Sequence, residues 1–293
     1  MGMRTLTKGN IFLILAAIVW GMGLVSQQTG MDYLGPLSFT AVRCALGGIS
    51  MLPLLWIFKG DDTDNKQTLK ASFVCSLILT SLILLQQYGL LFTSVGKAGF
   101  ITALYILITP VSGVLLLNKP AAKKTWIAVA VALVGMYFLC LTDGIDGINI
   151  GDIIMIGAAA VATMHIHVVD HYVTKINPVR LCCFQFIFVG LICIIPALIF
   201  EGDVLTIENI KLSAVPILYA GIASCAMGYT FQTIGQKYTE PNTASLLLSM
   251  ETVFALMAGW VILGEVLKSQ EYIGCILMFI AIILAQLPEK RKD

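Results

Sequence analysis

The chain has 293 residues, of which 58% are hydrophobic and 12% charged, and its mean hydropathy is +0.90. Soluble globular domains carry roughly a quarter charged residues, so this composition excludes an ordinary soluble protein. The formal net charge is +1 and no basic stripe interleaves with aromatics, which argues against a nucleic-acid partner.

A bilayer crossing takes about 20 mostly apolar residues. Ten such stretches occur, at about 10–28, 36–58, 70–92, 98–117, 124–142, 151–171, 178–200, 212–236, 241–264 and 270–287. The first, richest in apolar residues from Ile11 to Val25, has no clear small-residue cleavage site and reads as a retained span. The longest connection, Lys59 to Leu69, contains GDDTDNKQT and is too polar to stay in lipid. No linker between spans 5 and 6 is long enough for a separate soluble domain. If the N-terminus is cytoplasmic, the inner segments carry fourteen Lys and Arg residues, against three outside (Lys97, Lys211 and Lys268). That asymmetry places both termini in the cytoplasm.

The spans repeat. Gly35-Pro36 opening span 2 matches Asn177-Pro178 opening span 7, and Gln86 and Gly89 match Gln232 and Gly235. The units are 1–146 and 147–293. Five spans is an odd number, so the second unit enters the membrane from the opposite side. The fold class is therefore an all-α integral membrane protein of ten transmembrane helices, arranged as two inverted five-helix repeats. In secondary transporters of that architecture the solute site lies at the midplane between the repeats.

Span 9 carries the deepest ionisable group, Glu251. Seven back, four on and seven on from it stand Ala244, Ala255 and Ala258, a small-residue face that also takes in Leu248. The matching positions of span 4 are Ala98, Thr102, Tyr105, Thr109 and Ser112, again small or polar around a central anchor, Tyr105. A carboxyl at mid-bilayer is costly and faces protein or water, either tying helices together or handling solute or protons. Protons are the candidate coupled ion. Spans 1 and 6 pair Ala16, Trp20, Gly23 and Gln27 with Ala158, Ala162, His165 and Val169. His165 is a satisfied core residue or a cavity residue. His167 lies about 200° around from it and His171 at the cytoplasmic end, so the three histidines make no metal site. Gln86 and Gln232 suit interhelical hydrogen bonds or solute contact, with Tyr229 an adjacent aromatic candidate. Arg43 sits about 10 Å into span 2, placed to snorkel, to pair with a carboxylate, or to receive a solute carboxylate; its counterpart is the neutral Gln185. Glu265 is a boundary charge.

All eight cysteines lie in apolar runs without CxxC or zinc spacing and read as small core residues. No P-loop, GxSxG, HExxH or paired-carboxylate motif occurs, so no cofactor and no enzymatic machinery is expected.

Pro36 to Arg43, Asn177-Pro178 to Gln185, and above all SLLLSMETVFALMAGWVILGE from Ser245 to Glu265 resemble the EamA family of the drug/metabolite transporter superfamily. The resemblance covers the whole chain as two EamA-type units. It implies a multi-pass bacterial inner-membrane transporter that moves amino acids, other small metabolites or toxic compounds, often outward. It also implies a cavity lined by spans 1, 3, 4, 6, 8 and 9. Arg43, Glu251 and Glu265 fall on positions where the family pattern often has those residue types. The chain departs at Thr252, where Pro is common, and at Asn118-Lys119, where Gly-Glu is common. A kink in span 9 thus lacks its proline, whereas Pro110 can still bend span 4.

The function expected is a secondary active transporter, an exporter of an amino acid or related amphipathic solute, alternating access around a midplane cavity. Its binding residues would be Trp20, Gln86, Tyr105, His165, Tyr229, Gln232 and Glu251, with Arg43 and Thr109 in support. Two alternatives are a membrane enzyme acting on lipid precursors, which needs polar catalytic clusters near one leaflet, and a non-transporting assembly subunit.

Overall fold

The computed structural model describes residues 3–57, 65–93, 95–118, 121–140, 149–255, 257 and 269–286. Ala258, Lys119 and Glu265 lie outside that set. Every regular element among the described residues is helical. The first half comprises α1 (Met3–Trp20), α2 (Gly23–Gly30), α3 (Pro36–Ile57), α4 (Asn65–Leu90), α5 (Val95–Thr102), α6 (Tyr105–Leu117) and α7 (Lys123–Cys140). The second comprises α8 (Ile150–Val173), α9 (Pro178–Phe200), α10 (Ile207–Leu212), α11 (Ala214–Leu218), a π-helical segment (Tyr219–Gly228), α12 (Tyr229–Gln236), α13 (Pro241–Leu248) and a final helix, Ser269–Gln286.

Seven helical stretches among the described residues are long and apolar enough to cross a membrane. The other three expected spans correspond to α7, to α13 with the turn 251–255, and to the final helix, whose apolar part is Tyr272–Ala285. Burial is distributed as lipid demands. Many large apolar side chains are exposed, as Leu115, Leu116 and Phe200 are, while the interior mixes large ones such as Phe39, Phe186 and Leu79 with Ala, Cys, Ser and Thr. Small residues let helix backbones approach closely where lipid supplies no hydrophobic drive between them.

Local chemistry sets many of the ends. Asn149 and Asp152 form a reciprocal capping box at the start of α8. Asn177 caps α9, with Pro178 in the first turn. Asn118 ends α6 in the left-handed region, at φ 51°.

Close contacts recur at matching positions of the two halves. A Cβ on Gly48 would meet the Ile187 amide at 2.8 Å, and one on Gly190 would meet the Ala45 amide at 3.0 Å. Gly89 packs on Met155 and Gly235 on Leu13. Thr93 donates to the Asp152 carboxylate (2.8 Å), as Thr239 does to the Asn10 amide oxygen (3.3 Å).

Hydropathy predicts uninterrupted helices through 98–117 and 241–264, and here the structure differs. Both break just before the anchor residue, at Ala103-Leu104 and at Ser249-Met250. At each break the backbone tightens: Leu104 N–H donates to Ile101 O (3.1 Å) and Met250 N–H to Leu247 O (3.2 Å). Neither Gly nor Pro lies at either step, and Pro110 sits downstream inside α6, so local propensity gives no warning. Span 1 also breaks, at Gly21-Met22. There a Cβ on Gly21 would meet the Ala255 amide at 2.8 Å, so the break seats the end of α1 on the backbone beyond Glu251.

Candidate functional site

A cavity of about 80 Å³ lies at the centre of the bundle. Trp20, Arg43, Gln86, Tyr105, His165, Tyr229, Gln232 and Glu251 all line it. Thr109 does not. It lies one turn beyond Tyr105, fully buried, with its hydroxyl donating to the Tyr105 carbonyl (2.6 Å).

One wall is aromatic. The Trp20 and Tyr229 rings stand 4.6 Å apart, with Phe186 at 5.1 Å from Tyr229 and the His165 ring at 6.0 Å. The π-helical segment orients this cluster: the Ser224 carbonyl accepts the Tyr229 amide and also the Trp20 Nε1–H (3.2 Å). Single π turns are frequent at functional sites because they redirect side chains within an otherwise regular helix. His165 Nε2–H donates to Gln185 Oε1 (3.2 Å), which fixes the ring orientation from α9.

The remaining walls hold polar groups with few protein partners. Arg43 is 3% exposed, and its one hydrogen bond, to Gln27 Oε1, is long at 3.4 Å, leaving Nε unpaired. The Tyr105 hydroxyl and Gln232 Oε1 are buried and unpaired as well. Glu251 is half-buried and makes no hydrogen bond or salt bridge with a described residue. Buried polar groups are normally hydrogen-bonded, so the three unpaired groups of Arg43, Tyr105 and Gln232 on one cavity leave donors and an acceptor for a polar solute or water. The site offers a cationic donor, a carboxyl and an aromatic face between them. Among the described residues no group of three His, Cys, Asp or Glu side chains could hold a metal ion.

Sequence periodicity identified most of the lining but missed the supports. Gln185 holds His165, and Ser224 joins Trp20 to Tyr229. Glu201, at the end of α9, accepts the Leu37 (3.1 Å) and Ser38 (2.7 Å) amides at the start of α3. Only Asp152 left a local signal, the Asn149-x-x-Asp152 capping pattern.

An all-helical bundle with exposed apolar helices and ionisable groups on a central cavity fits a multi-pass membrane transporter. The chain belongs to the EamA-like transporter family, whose model matches residues 7–141 and again 149–287. It is 30% identical over 280 residues to an uncharacterised transporter of Archaeoglobus fulgidus, covering 95% of this chain and 85% of that protein. It is 26% identical to the uncharacterised transporter YwfM of Bacillus subtilis, with 97% of each chain covered. A solved crystal structure superposes with a TM-score of 0.80 at 13% identity over 96% of each chain, a likeness of fold.

Proposed function

We propose that this protein is a secondary transporter that carries a small amphipathic metabolite, an amino acid or a related zwitterion, outward by alternating access. The observation that carries the reading is one cavity holding both Arg43 and Glu251, with no salt bridge between them and an aromatic wall beside them. A zwitterion satisfies both ends: its carboxylate meets the Arg43 guanidinium and its ammonium meets Glu251 and Gln232 Oε1. Its apolar part lies against Trp20, Tyr105 and Tyr229. Gln86 and His165 complete the polar lining, and Thr109 acts from outside it. Glu251 is also the group that would exchange a proton.

The bundle is read as ten spans in two inverted units, 1–146 and 147–293, in the cell's inner membrane with both termini cytoplasmic. The paired family matches support two units. So does the packing, since contacts recur under exchange of the halves: α3 packs on α9, and α4 on α8 as α1 does on α12.

The test is thermal unfolding of the purified protein against a panel of apolar amino acids, nucleosides and quaternary amines. A ligand at 100 times its Kd stabilises by about 2.7 kcal/mol. Amino acids should raise the midpoint, and Glu251→Ala or Tyr105→Ala should abolish the rise. A uniformly silent panel overturns the reading.

A further inference from the structure

A second cavity, of about 440 Å³, opens where α6 ends and α13 begins, and the proposed function leaves it unused. It is lined by Gly113, Asn118, His167, Asp170, Glu240 and Asn242, together with Pro241. Each of these residues extends an element that also lines the central cavity or leads to Glu251. On α6, Tyr105 lies in the centre, and Gly113 and Asn118 at the end. On α8, His165 lies in the centre, and His167 and Asp170 face the second cavity. Pro241 and Asn242 open α13, which leads to Leu248 and Glu251.

Between the two cavities runs a polar seam. The Thr109 and Thr163 hydroxyls meet at 3.5 Å, and Thr163 Oγ1 also reaches the Tyr105 carbonyl at 3.5 Å. One turn further, Ser112 Oγ and His167 Nε2 hydrogen-bond at 2.9 Å. From the side, Gln236 Nε2–H donates to the Ile166 carbonyl (3.0 Å). Thr109, Thr163 and Gln236 are all buried.

The matching positions of the other half carry none of this chemistry. Thr109 and Thr163 correspond to Ala255 and Gly21, Gln236 to Leu90, Ile166 to Leu24 and His167 to Val25. One end of the bundle is therefore closed by side-chain hydrogen bonds and the other by backbone contact of small residues, as between Gly21 and Ala255. A helix contact made through hydroxyl and imidazole groups can be exchanged for water when it opens. A contact between apolar side chains gains nothing from water.

We infer that the second cavity is the vestibule of the path to the central cavity, on the cytoplasmic side in the orientation adopted above. The Thr109–Thr163 and Ser112–His167 seam is its gate. This rests on the transport reading, and it gives the path a polar mouth suited to polar solutes.

Accessibility tests it without a known substrate. A cysteine at Ala162, whose side chain lines the central cavity, is labelled with a membrane-impermeant methanethiosulfonate in inside-out and in right-side-out vesicles. Mass spectrometry of the labelled peptide separates it from the native thiols. The double substitution Thr109→Ala with Ser112→Ala should raise the labelling rate from the cytoplasmic face at least tenfold, with no rise from the other face. Should the double variant fail to fold, Ser112→Cys with His167→Cys supplies the opposite arm. Its oxidative cross-link should abolish labelling from the cytoplasmic face, and reduction should restore it. An unchanged cytoplasmic rate in the loosened variant, or labelling through the cross-linked seam, overturns the gate. A cysteine at 162 that no reagent reaches from either face in any variant overturns the transport reading itself.

Discussion

The matched glycine contacts give two substitutions that are alike in sequence terms and should differ in cost. Gly89 and Gly235 are each the penultimate residue of a helix, so replacing either by alanine gains a similar helix propensity, at most about 1 kcal/mol. What the new Cβ meets is different. At Gly89 the nearest atoms are Met155 Cε (2.9 Å), Cγ (3.0 Å) and Sδ (3.2 Å), a flexible thioether that can swing aside. At Gly235 they are Leu13 Cγ (2.6 Å) and Cδ2 (2.9 Å) and the Gly9 carbonyl oxygen (3.0 Å), a branched side chain with backbone behind it. Overpacking a close-packed site costs about 1–3 kcal/mol. Gly89→Ala should therefore leave the unfolding midpoint of the detergent-purified protein within experimental scatter or raise it slightly. Gly235→Ala should lower it clearly, and Leu13→Ala added to Gly235→Ala should recover part of the loss. A Gly89→Ala variant as unstable as Gly235→Ala would refute the reasoning, because the two contacts would then be equally rigid.

Asp152→Ala removes the acceptor of the Asn149 amide, one half of the capping box of α8, together with the Thr93 bond, so it should cost about 1–3 kcal/mol in thermal unfolding; Asp152→Asn, which keeps an acceptor, should cost less. Glu201→Ala leaves the first turn of α3 without its side-chain acceptor and should cost about 0.5–2 kcal/mol, with Glu201→Gln intermediate because a carboxylate also favours a helix N-terminus. Tyr105→Phe deletes a buried hydroxyl that has no protein partner, so stability should hold or rise while solute-induced stabilisation falls. If Glu251 exchanges the coupled proton, native uptake into everted vesicles varies with external pH and Glu251→Gln flattens the profile. A variant whose profile follows that of the native protein removes Glu251 from proton coupling.

The amino-acid sequence by itself determined the solvent this protein folds in, the approximate limits of its apolar helices and the side chains sharing each helix face. These follow from composition and from the 3.6-residue period, which act over one or two turns. Hence periodicity alone puts Trp20, Tyr105 and Glu251 on polar or small faces. The tertiary structure alone decided where those helices break. The steps at Ala103-Leu104 and Ser249-Met250 carry no proline or glycine, so nothing in the local sequence marks them. It also decided which partners meet: Gln185 with His165, Gln27 with Arg43, Thr93 with Asp152. Thr109 shows the division most clearly. Its periodicity puts it on the face of Tyr105, yet its hydroxyl turns to the Tyr105 carbonyl and to Thr163, from a helix that begins more than thirty residues later. Helical period fixes direction around one axis. Depth, and whatever stands opposite, depend on contacts between segments far apart in the chain, which no local pattern encodes.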